Sequence, residues 1–161
     1  MNPRATELIA LLDLEPHPEG GYFREIYRSA TTVVPLDDRN QRAAITTIFF
    51  LLTGDTVNRW HRVRSDEVWH LYEGGPVEVL DLDLAGTNLH RHQLAPVSSD
   101  ARPTCVIPAG HWQTARTLTA YALAGCTVGP GFDFADFELM ADDPVALQSL
   151  RRRWPSEMRW V

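Results

Sequence analysis

His61 and Glu67 are the two side chains of this sequence whose types and spacing are best suited to chemistry. They flank a short polar turn within Gly54–Gly74, which reads GDTVNRWHRVRSDEVWHLYEG. On adjacent antiparallel strands, facing side chains would lie about 5 Å apart. Such a pair can transfer protons, with His61 as base and Glu67 orienting it or acting as acid. The alternative is an ion pair that only stabilises the protein.

Arg59 and Gln113 extend this candidate site. Arg59 lies two residues before His61, so strand alternation predicts that both face the same side. A buried cation there would bind a carboxylate or phosphate, and we therefore favour a pocket for a small anionic metabolite that requires no cofactor. Gln113 could add an amide oxygen to His61 and Glu67, and these three would then hold a divalent metal weakly.

The composition excludes several classes of partner. The chain has 161 residues, a net charge of −6 and 44% hydrophobic residues, which fits one domain with its own core. An acidic surface argues against binding to nucleic acid or to an anionic membrane. We find neither a signal peptide nor an apolar run long enough to span a membrane, so a cytoplasmic location is expected. Cys105 and Cys126 are expected to be buried free thiols.

The residue pattern predicts a β-rich domain between two short helices. Thr6 is the predicted N-cap of the first helix, which extends to Leu14, and Asp142–Leu150 is predicted to form the second. Alternating or β-branched segments predict eight strands between them: Gly21–Ser29, Ala43–Thr53, Glu67–Glu73, Val77–Leu84, Asn88–Leu94, Thr104–Pro108, Gln113–Leu118 and Thr119–Val128. We expect one domain over 1–161, with a barrel at about 20–140 and a helix and tail at 142–161. Trp154 and Trp160 should pack on the barrel or on a second subunit.

Four motifs in order give the sequence a family resemblance. EPHPEGGYFREIYRS at 15–29, SDEVWH at 65–70, PAGHWQ at 108–113 and VGPGFDFADFEL at 128–139 resemble an uncharacterised family of cupins. The resemblance implies an all-β, cupin-type double-stranded β-helix, or jelly-roll barrel, with short N- and C-terminal helices. It also implies a homodimer.

The cupin signature motifs align with the candidate site. The first, G-x5-H-x-H-x(3,4)-E-x6-G, is matched by Gly54, His61, Glu67 and Gly74, with small differences in spacing, and the second by Pro108 and Gly110. The family's four metal-ligand positions then correspond to Arg59, His61, Glu67 and Gln113. Since two of the four are not metal ligands of the usual type, the resemblance favours a metal-free pocket.

Further residues are assigned to the pocket by a second resemblance and by position. GGYFREIYRS is similar to a strand of dTDP-sugar 3,5-epimerases, where Glu25 matches a ligand-binding glutamate, and this implies a sugar or nucleotide ligand and an isomerase-, epimerase- or lyase-like reaction. Tyr22 belongs to the same strand, Trp69 shares the face of Glu67, and His111 would rim the pocket. The alternatives are a non-catalytic sugar- or nucleotide-binding module and a divalent-metal enzyme. Two further features, His90-Arg91-His92 and His17, are interpreted as exposed histidines and a loop hydrogen bond.

Overall fold

The computed structural model describes residues 1–161 and consists of strands between two terminal helices, α1 (Pro3–Leu11) and α2 (Pro144–Arg153). The strands are β1 (Glu15–Pro16), β2 (Tyr22–Arg28), β3 (Thr32–Val33), β4 (Arg42–Ala43), β5 (Thr46–Thr53), β6 (His61–Val63), β7 (Asp66–Gly74), β8 (Val77–Leu82), β9 (Leu89–Leu94), β10 (Thr104–Ile107), β11 (Trp112–Thr117), β12 (Tyr121–Gly129) and β13 (Phe137–Leu139). Three 3₁₀ turns span Phe134–Asp136, Met140–Asp142 and Pro155–Trp160. No helix has the length and apolar character needed to cross a membrane.

Two antiparallel sheets face each other and enclose the core. One has the strand order β1-β2-β5-β12-β7-β10 and the other β13-β6-β11-β8-β9, while β3 and β4 pair separately. Phe50 and Trp69 from the first sheet pack with Val79 and Ala115 from the second, and all four are buried. The predicted all-β jelly-roll architecture is confirmed.

The eight predicted strands are all present, each with boundaries within three residues of the prediction. The turn at Ala85–Thr87 joins β8 and β9 into an antiparallel hairpin in which Leu82 pairs with Leu89. The eight predicted strands do not include the five short ones, β1, β3, β4, β6 and β13, because two or three residues are too few to display a clear alternation. A strand at His61 was expected only from its spacing to Glu67.

The two predicted helices are present, but the N-cap assigned to the first was wrong. Helix α1 begins at Pro3, and the Asn2 side chain caps it by accepting a hydrogen bond from the Arg4 N–H at 2.9 Å. Thr6 lies inside the helix, where its hydroxyl donates to the Asn2 carbonyl. Asn followed by Pro supplies a capping oxygen and a preset φ earlier in the chain, so the helix starts there.

The predicted pairing of the strands that carry His61 and Glu67 was also wrong. β6 pairs with β11 and β13, whereas β7 pairs with β10 and β12, so the two strands belong to different sheets. The turn at Arg64–Ser65 is therefore a corner between sheets and not a hairpin. Because both side chains point into the space between the sheets, they still face the same interior.

The C-terminal tail packs on the outside of the five-stranded sheet. Trp154 and Trp160 contact a buried cluster that includes Trp112 and Leu150. The Trp60 indole N–H donates to the Glu157 carbonyl at 3.0 Å, and the Trp60 backbone N–H donates to the Trp160 carbonyl at 2.8 Å. The tail is thus part of the folded domain and covers the apolar outer face of β8 and β11.

We predict that Leu150→Ala lowers the free energy of unfolding by about 2–5 kcal/mol, since Leu150 is fully buried and truncation leaves a cavity. Val145→Ala on the same helix is the matched control, because Val145 is exposed and the change should cost less than about 0.5 kcal/mol. Urea denaturation of both variants measures the difference. Equal stabilities would show that the tail does not pack as described.

Candidate functional site

A cavity of about 290 Å³ opens between the two sheets. Its buried end carries Glu19, His61 and Glu67, whose exposures are only 7%, 2% and 7%. Its outer end is formed by the exposed residues Arg28 and Phe134. Three ionisable side chains are therefore removed from bulk water yet face an open space that a small molecule could occupy.

Glu19 reaches the cavity because of the glycine that follows it. Gly20 has φ +100°, and a Cβ there would lie 1.8 Å from the Val57 carbonyl oxygen. Only glycine allows the loop between β1 and β2 to approach the backbone this closely. The Arg59 N–H then donates to the Glu19 carbonyl at 2.7 Å, which fixes the loop against the segment leading into β6.

His61 and Glu19 form a buried ion pair. The His61 Nε2 lies 3.0 Å from the Glu19 Oε2, and the His61 Nδ1 lies 2.8 Å from the Arg59 carbonyl oxygen. A carbonyl and a carboxylate are both acceptors, so both ring nitrogens face groups that favour a bound proton. The geometry therefore favours the imidazolium form of His61.

The pKa values of this pair move apart in the direction that keeps both groups charged. Burial disfavours the imidazolium, but attraction to Glu19 and the hydrogen bonds outweigh it and raise the pKa of His61 above 6.5. Burial also opposes ionisation of Glu19, but His61 outweighs it and lowers the pKa of Glu19 below 4.5. Desolvation and partner charge thus compete at both groups, and partner charge prevails.

Asn58 holds the other oxygen of Glu19. Its Nδ2 donates to Glu19 Oε1 at 2.9 Å, and its own Oδ1 accepts from the Ala115 N–H at 2.7 Å. Asn58 is 1% exposed, and it connects the Glu19 carboxylate directly to the backbone of β11. This restraint fixes the carboxylate in one orientation toward His61.

Glu67 lies on the opposite sheet and is in a different electrostatic state. Burial raises the pKa of Glu67 above 4.5, and the nearby Glu19 carboxylate raises it further while His61 opposes. Its Oε2 accepts from Gln113 Nε2 at 2.6 Å, and the Gln113 Oε1 accepts from the Trp69 indole N–H at 3.0 Å. A chain of hydrogen bonds from Trp69 through Gln113 therefore holds the Glu67 carboxyl in place from the protein core.

The residues assigned to the site from the sequence fall into three groups. His61, Glu67 and Glu25 line the cavity. Gln113 and Trp69 support Glu67 from the core. The others, Tyr22, Arg59 and His111, do not line it; Tyr22, for example, packs on the cluster beneath α1.

Arg59 contributes to the site through its backbone and not through its side chain. Its guanidinium donates to the Pro18 carbonyl, whereas its own carbonyl accepts from His61. The expectation that Arg59 faces the same side as His61 assumed an extended strand. β6 begins only at His61, so strand alternation does not apply at position 59, and the basis for an anion contact there is lost.

His111 belongs to a separate cluster outside the cavity. Its Nδ1 lies 2.8 Å from Asp81 Oδ1, and the His92 Nε2 lies 2.7 Å from Asp81 Oδ2. Burial opposes ionisation of Asp81, but the two imidazoles outweigh it and lower the pKa of the carboxyl below 3.8. The expectation that both histidines of His90-Arg91-His92 are exposed holds for His90 only. His92 is half-buried and paired with Asp81.

The sequence analysis did not assign His17, Glu19 and Arg28 to the site, although all three line the cavity. His17 Nδ1 accepts from the Glu19 N–H at 3.3 Å, which matches the predicted loop hydrogen bond, and burial lowers the pKa of its ring. The paired glycines after Glu19 were the available signal, since they indicate a close backbone approach. Which residue they bring into the cavity depends on tertiary contacts.

These side chains do not form a fitting metal site. Gln113 Oε1, the proposed third ligand, already accepts from Trp69, and both nitrogens of His61 are engaged. No group of three or more His, Cys, Asp or Glu side chains in the structure has an arrangement that could hold a metal ion. The donors are instead satisfied by one another.

Comparisons with known proteins agree with this architecture. Residues 6–140 match the family model described as Cupin superfamily (DUF985). A hypothetical protein from Leishmania major superposes with a TM-score of 0.82 at 30% identity, covering 96% of this chain and 94% of that chain. A protein from Shewanella oneidensis gives a TM-score of 0.79 at 31% identity, with coverage of 96% and 92%.

A more distant structure shows the fold alone. Oxalate decarboxylase from Bacillus subtilis, solved at pH 4.6, superposes with a TM-score of 0.58 at 15% identity, covering 89% of this chain and 35% of that chain. A search of curated proteins gives no match.

The family match covers most of the chain, including both sheets and every residue of the buried end of the cavity. The chain therefore belongs to the cupin superfamily, in the family designated DUF985.

Proposed function

We propose that this protein is a small-molecule enzyme that moves a proton on a carbonyl-containing metabolite, in the manner of an isomerase, epimerase or lyase. One observation carries the proposal. Glu67 and His61 face the same cavity, and their environments place them in different states, an acid with a raised pKa and a cation. Separated proton affinities among neighbouring groups are typical of acid–base sites.

Glu67 is the residue we assign to proton transfer. A carboxyl with a raised pKa both holds and accepts a proton nearer neutral pH, where a general acid–base residue is most effective. Gln113 restrains one of its oxygens, so the carboxyl is oriented before a ligand arrives. Cys126 also contacts Glu67, but burial raises the pKa of this thiol well above 9.0 and makes it a poor nucleophile.

His61 is assigned a different role from that of the base predicted from sequence. With both nitrogens bonded to acceptors it holds its proton, so it stabilises negative charge and does not abstract a proton. Glu19 and Asn58 act as positioning residues, because they keep His61 charged and oriented without reacting. A fixed cation beside a developing enolate lowers the barrier without reorganisation.

The proposed step conserves atoms and electrons. Glu67, in its ionised fraction, takes a proton from the carbon next to the ligand carbonyl, and the C–H electron pair becomes the enolate π bond. The positive charge of the His61 imidazolium, whose two N–H groups remain bonded to Glu19 and Arg59, stabilises the enolate through space. Return of the proton from Glu67 to a different carbon, or to the other face, gives an isomer without any oxidant or reductant.

The proposed chemistry predicts proton exchange between solvent and a ligand carbon. We expect the wild-type protein to catalyse deuterium uptake from D₂O into at least one member of a panel of uncharged hydroxyketones, cyclic ketones and aryl alkyl ketones, measured by ¹H NMR. Glu67→Gln keeps the hydrogen bond from Gln113 but cannot transfer a proton, and should slow the exchange by about 100-fold or more.

Glu7→Gln on α1 is the control, because Glu7 is exposed and does not line the cavity, and its rate should equal that of wild type. Binding of a panel member without any exchange would contradict catalysis and identify a binding module. Equal exchange by wild type and Glu67→Gln would remove Glu67 from the mechanism.

The pKa shifts of the buried groups also predict how the stability of the protein depends on pH. Folding raises the pKa of Glu67, so the free energy of unfolding falls as pH rises from 4.5 through the folded pKa of this group. The raised pKa of His61 lowers the free energy of unfolding in the same way from pH 6.5 upward. Folding lowers the pKa of Glu19, so its contribution to the free energy of unfolding is lost as pH falls below 4.5. Thermal melts across pH 4–9 should therefore show stability declining toward alkaline pH.

Glu67→Gln should remove the part of this decline that begins near pH 4.5 and leave the part due to His61. The melting temperature of the variant should accordingly exceed that of wild type at alkaline pH. Parallel curves for the two proteins would show that Glu67 has an ordinary pKa.

A further inference from the structure

The outer end of the cavity is an aromatic surface that the proposed acid–base chemistry does not use. Rings of His17, Phe23, Phe132 and Phe134 line it. His17 and Phe23 meet edge to face with centroids 4.6 Å apart, and Phe132 and Phe134 do so at 5.0 Å. His17 and Phe134 lie nearly parallel, at 22° and 6.2 Å. A ligand in the cavity therefore lies against aromatic rings as well as against Glu67.

Phe134 is the ring in this set that remains largely uncovered. It is 55% exposed although it lines the cavity, whereas Phe23 and Phe132 are half-buried. Its loop is held in place, because the Arg28 guanidinium donates to the Phe132 carbonyl at 3.1 and 3.2 Å and Asp133 caps the following turn. A ring that a restrained loop holds over a cavity gains favourable burial when a ligand covers it.

The charges of the lining disfavour an anion. Four carboxyl groups line the cavity, those of Glu19, Glu25, Glu67 and Asp133. The single arginine, Arg28, is already bound by Glu25 through contacts of 3.0 and 2.7 Å. The protonated His61 is likewise paired, with Glu19. A ligand that arrives as an anion would add a negative charge to this lining and would be repelled by the carboxylates, whereas an enolate forms only as Glu67 becomes neutral.

The cavity is large enough for a ring with a polar substituent. An apolar cavity of about 150 Å³ holds benzene, and this one is about 290 Å³. Its side walls include the apolar side chains Ile48, Val63 and Val128, which would contact the edges of such a ring. The polar groups at the buried end would face the substituent.

We propose that the ligand is an uncharged molecule with a planar ring, which stacks on Phe134 at the mouth and directs its polar edge toward Glu67 and Glu19. This inference rests on the proposed function for the direction in which the ligand points. It replaces the anionic ligand expected from Arg59. Phe134 then acts as a specificity-determining residue that selects planar over puckered rings.

Three probes separate planarity from charge: benzamide, cyclohexanecarboxamide and benzoate. Benzamide and cyclohexanecarboxamide share the amide and differ in ring shape, whereas benzoate keeps the planar ring and adds a charge. Binding is measured by titration of methyl-labelled protein, following the Ile48, Val63 and Val128 resonances. Benzamide should bind at least 5-fold more tightly than each of the others.

Phe134→Leu retains apolar volume but removes the ring face, and should weaken benzamide by about 2- to 10-fold, the range expected for one aromatic pair. It should leave cyclohexanecarboxamide unchanged. Leu36→Ala, at a fully exposed position, is the control and should change neither affinity.

Equal affinities for the two amides, tighter binding of benzoate, an unchanged benzamide affinity in Phe134→Leu, or no binding of any probe would each overturn the inference. The proposed function is judged separately by deuterium exchange in Glu67→Gln. Loss of ring preference with exchange intact would therefore refute the ligand class alone, and the reverse result would refute the chemistry alone.

Discussion

The buried ion pair between Glu19 and His61 is the interaction on which the organisation of the cavity depends. Two charges removed from water must be paired and hydrogen-bonded, or the fold loses several kcal/mol. Around this pair, Asn58 fixes the carboxylate, the Arg59 carbonyl fixes the ring, and Gly20 lets the loop approach. The polar end of the barrel is built so that both charges are satisfied before any ligand binds.

The arrangement of the sheets explains why Glu67 differs from Glu19. β7 leaves the sheet of β6 at the Arg64–Ser65 corner and carries Glu67 to the opposite wall. There its hydrogen-bond partners are an amide and a thiol, and burial prevails over attraction to His61, so the pKa of Glu67 is raised. Two carboxyl groups in one cavity thus acquire opposite pKa shifts from their separate partners. The same contrast separates acid from base in many enzymes.

Hydrogen bonds between the candidate ligand atoms and other protein groups also explain why these side chains do not fit a metal ion. In the alignment with the cupin motifs, Gln113 occupies a metal-ligand position, and its amide oxygen was a candidate ligand. In the folded chain that oxygen accepts from Trp69, and its amide donates to Glu67. The replacement therefore links the core to a proton-carrying group, and the chemistry we propose needs only the side chains present.

Much of this protein followed from its sequence alone. Alternating and β-branched residues gave the eight longer strands, and the four ordered motifs gave the jelly roll. The cupin signature motif assigned His61 and Glu67 to one site. These signals are local or depend on residue order. Strand partners, and the roles of Glu19 and Arg59, were decided only by tertiary structure. A carboxylate selects its partner through space, across 42 positions from Glu19 to His61, and a side chain's direction is undefined until its residue belongs to a strand. The segment around His61 therefore identified the location of the site from sequence. The charge on His61 depends on Glu19, which the loop ending in Gly20-Gly21 brings to it.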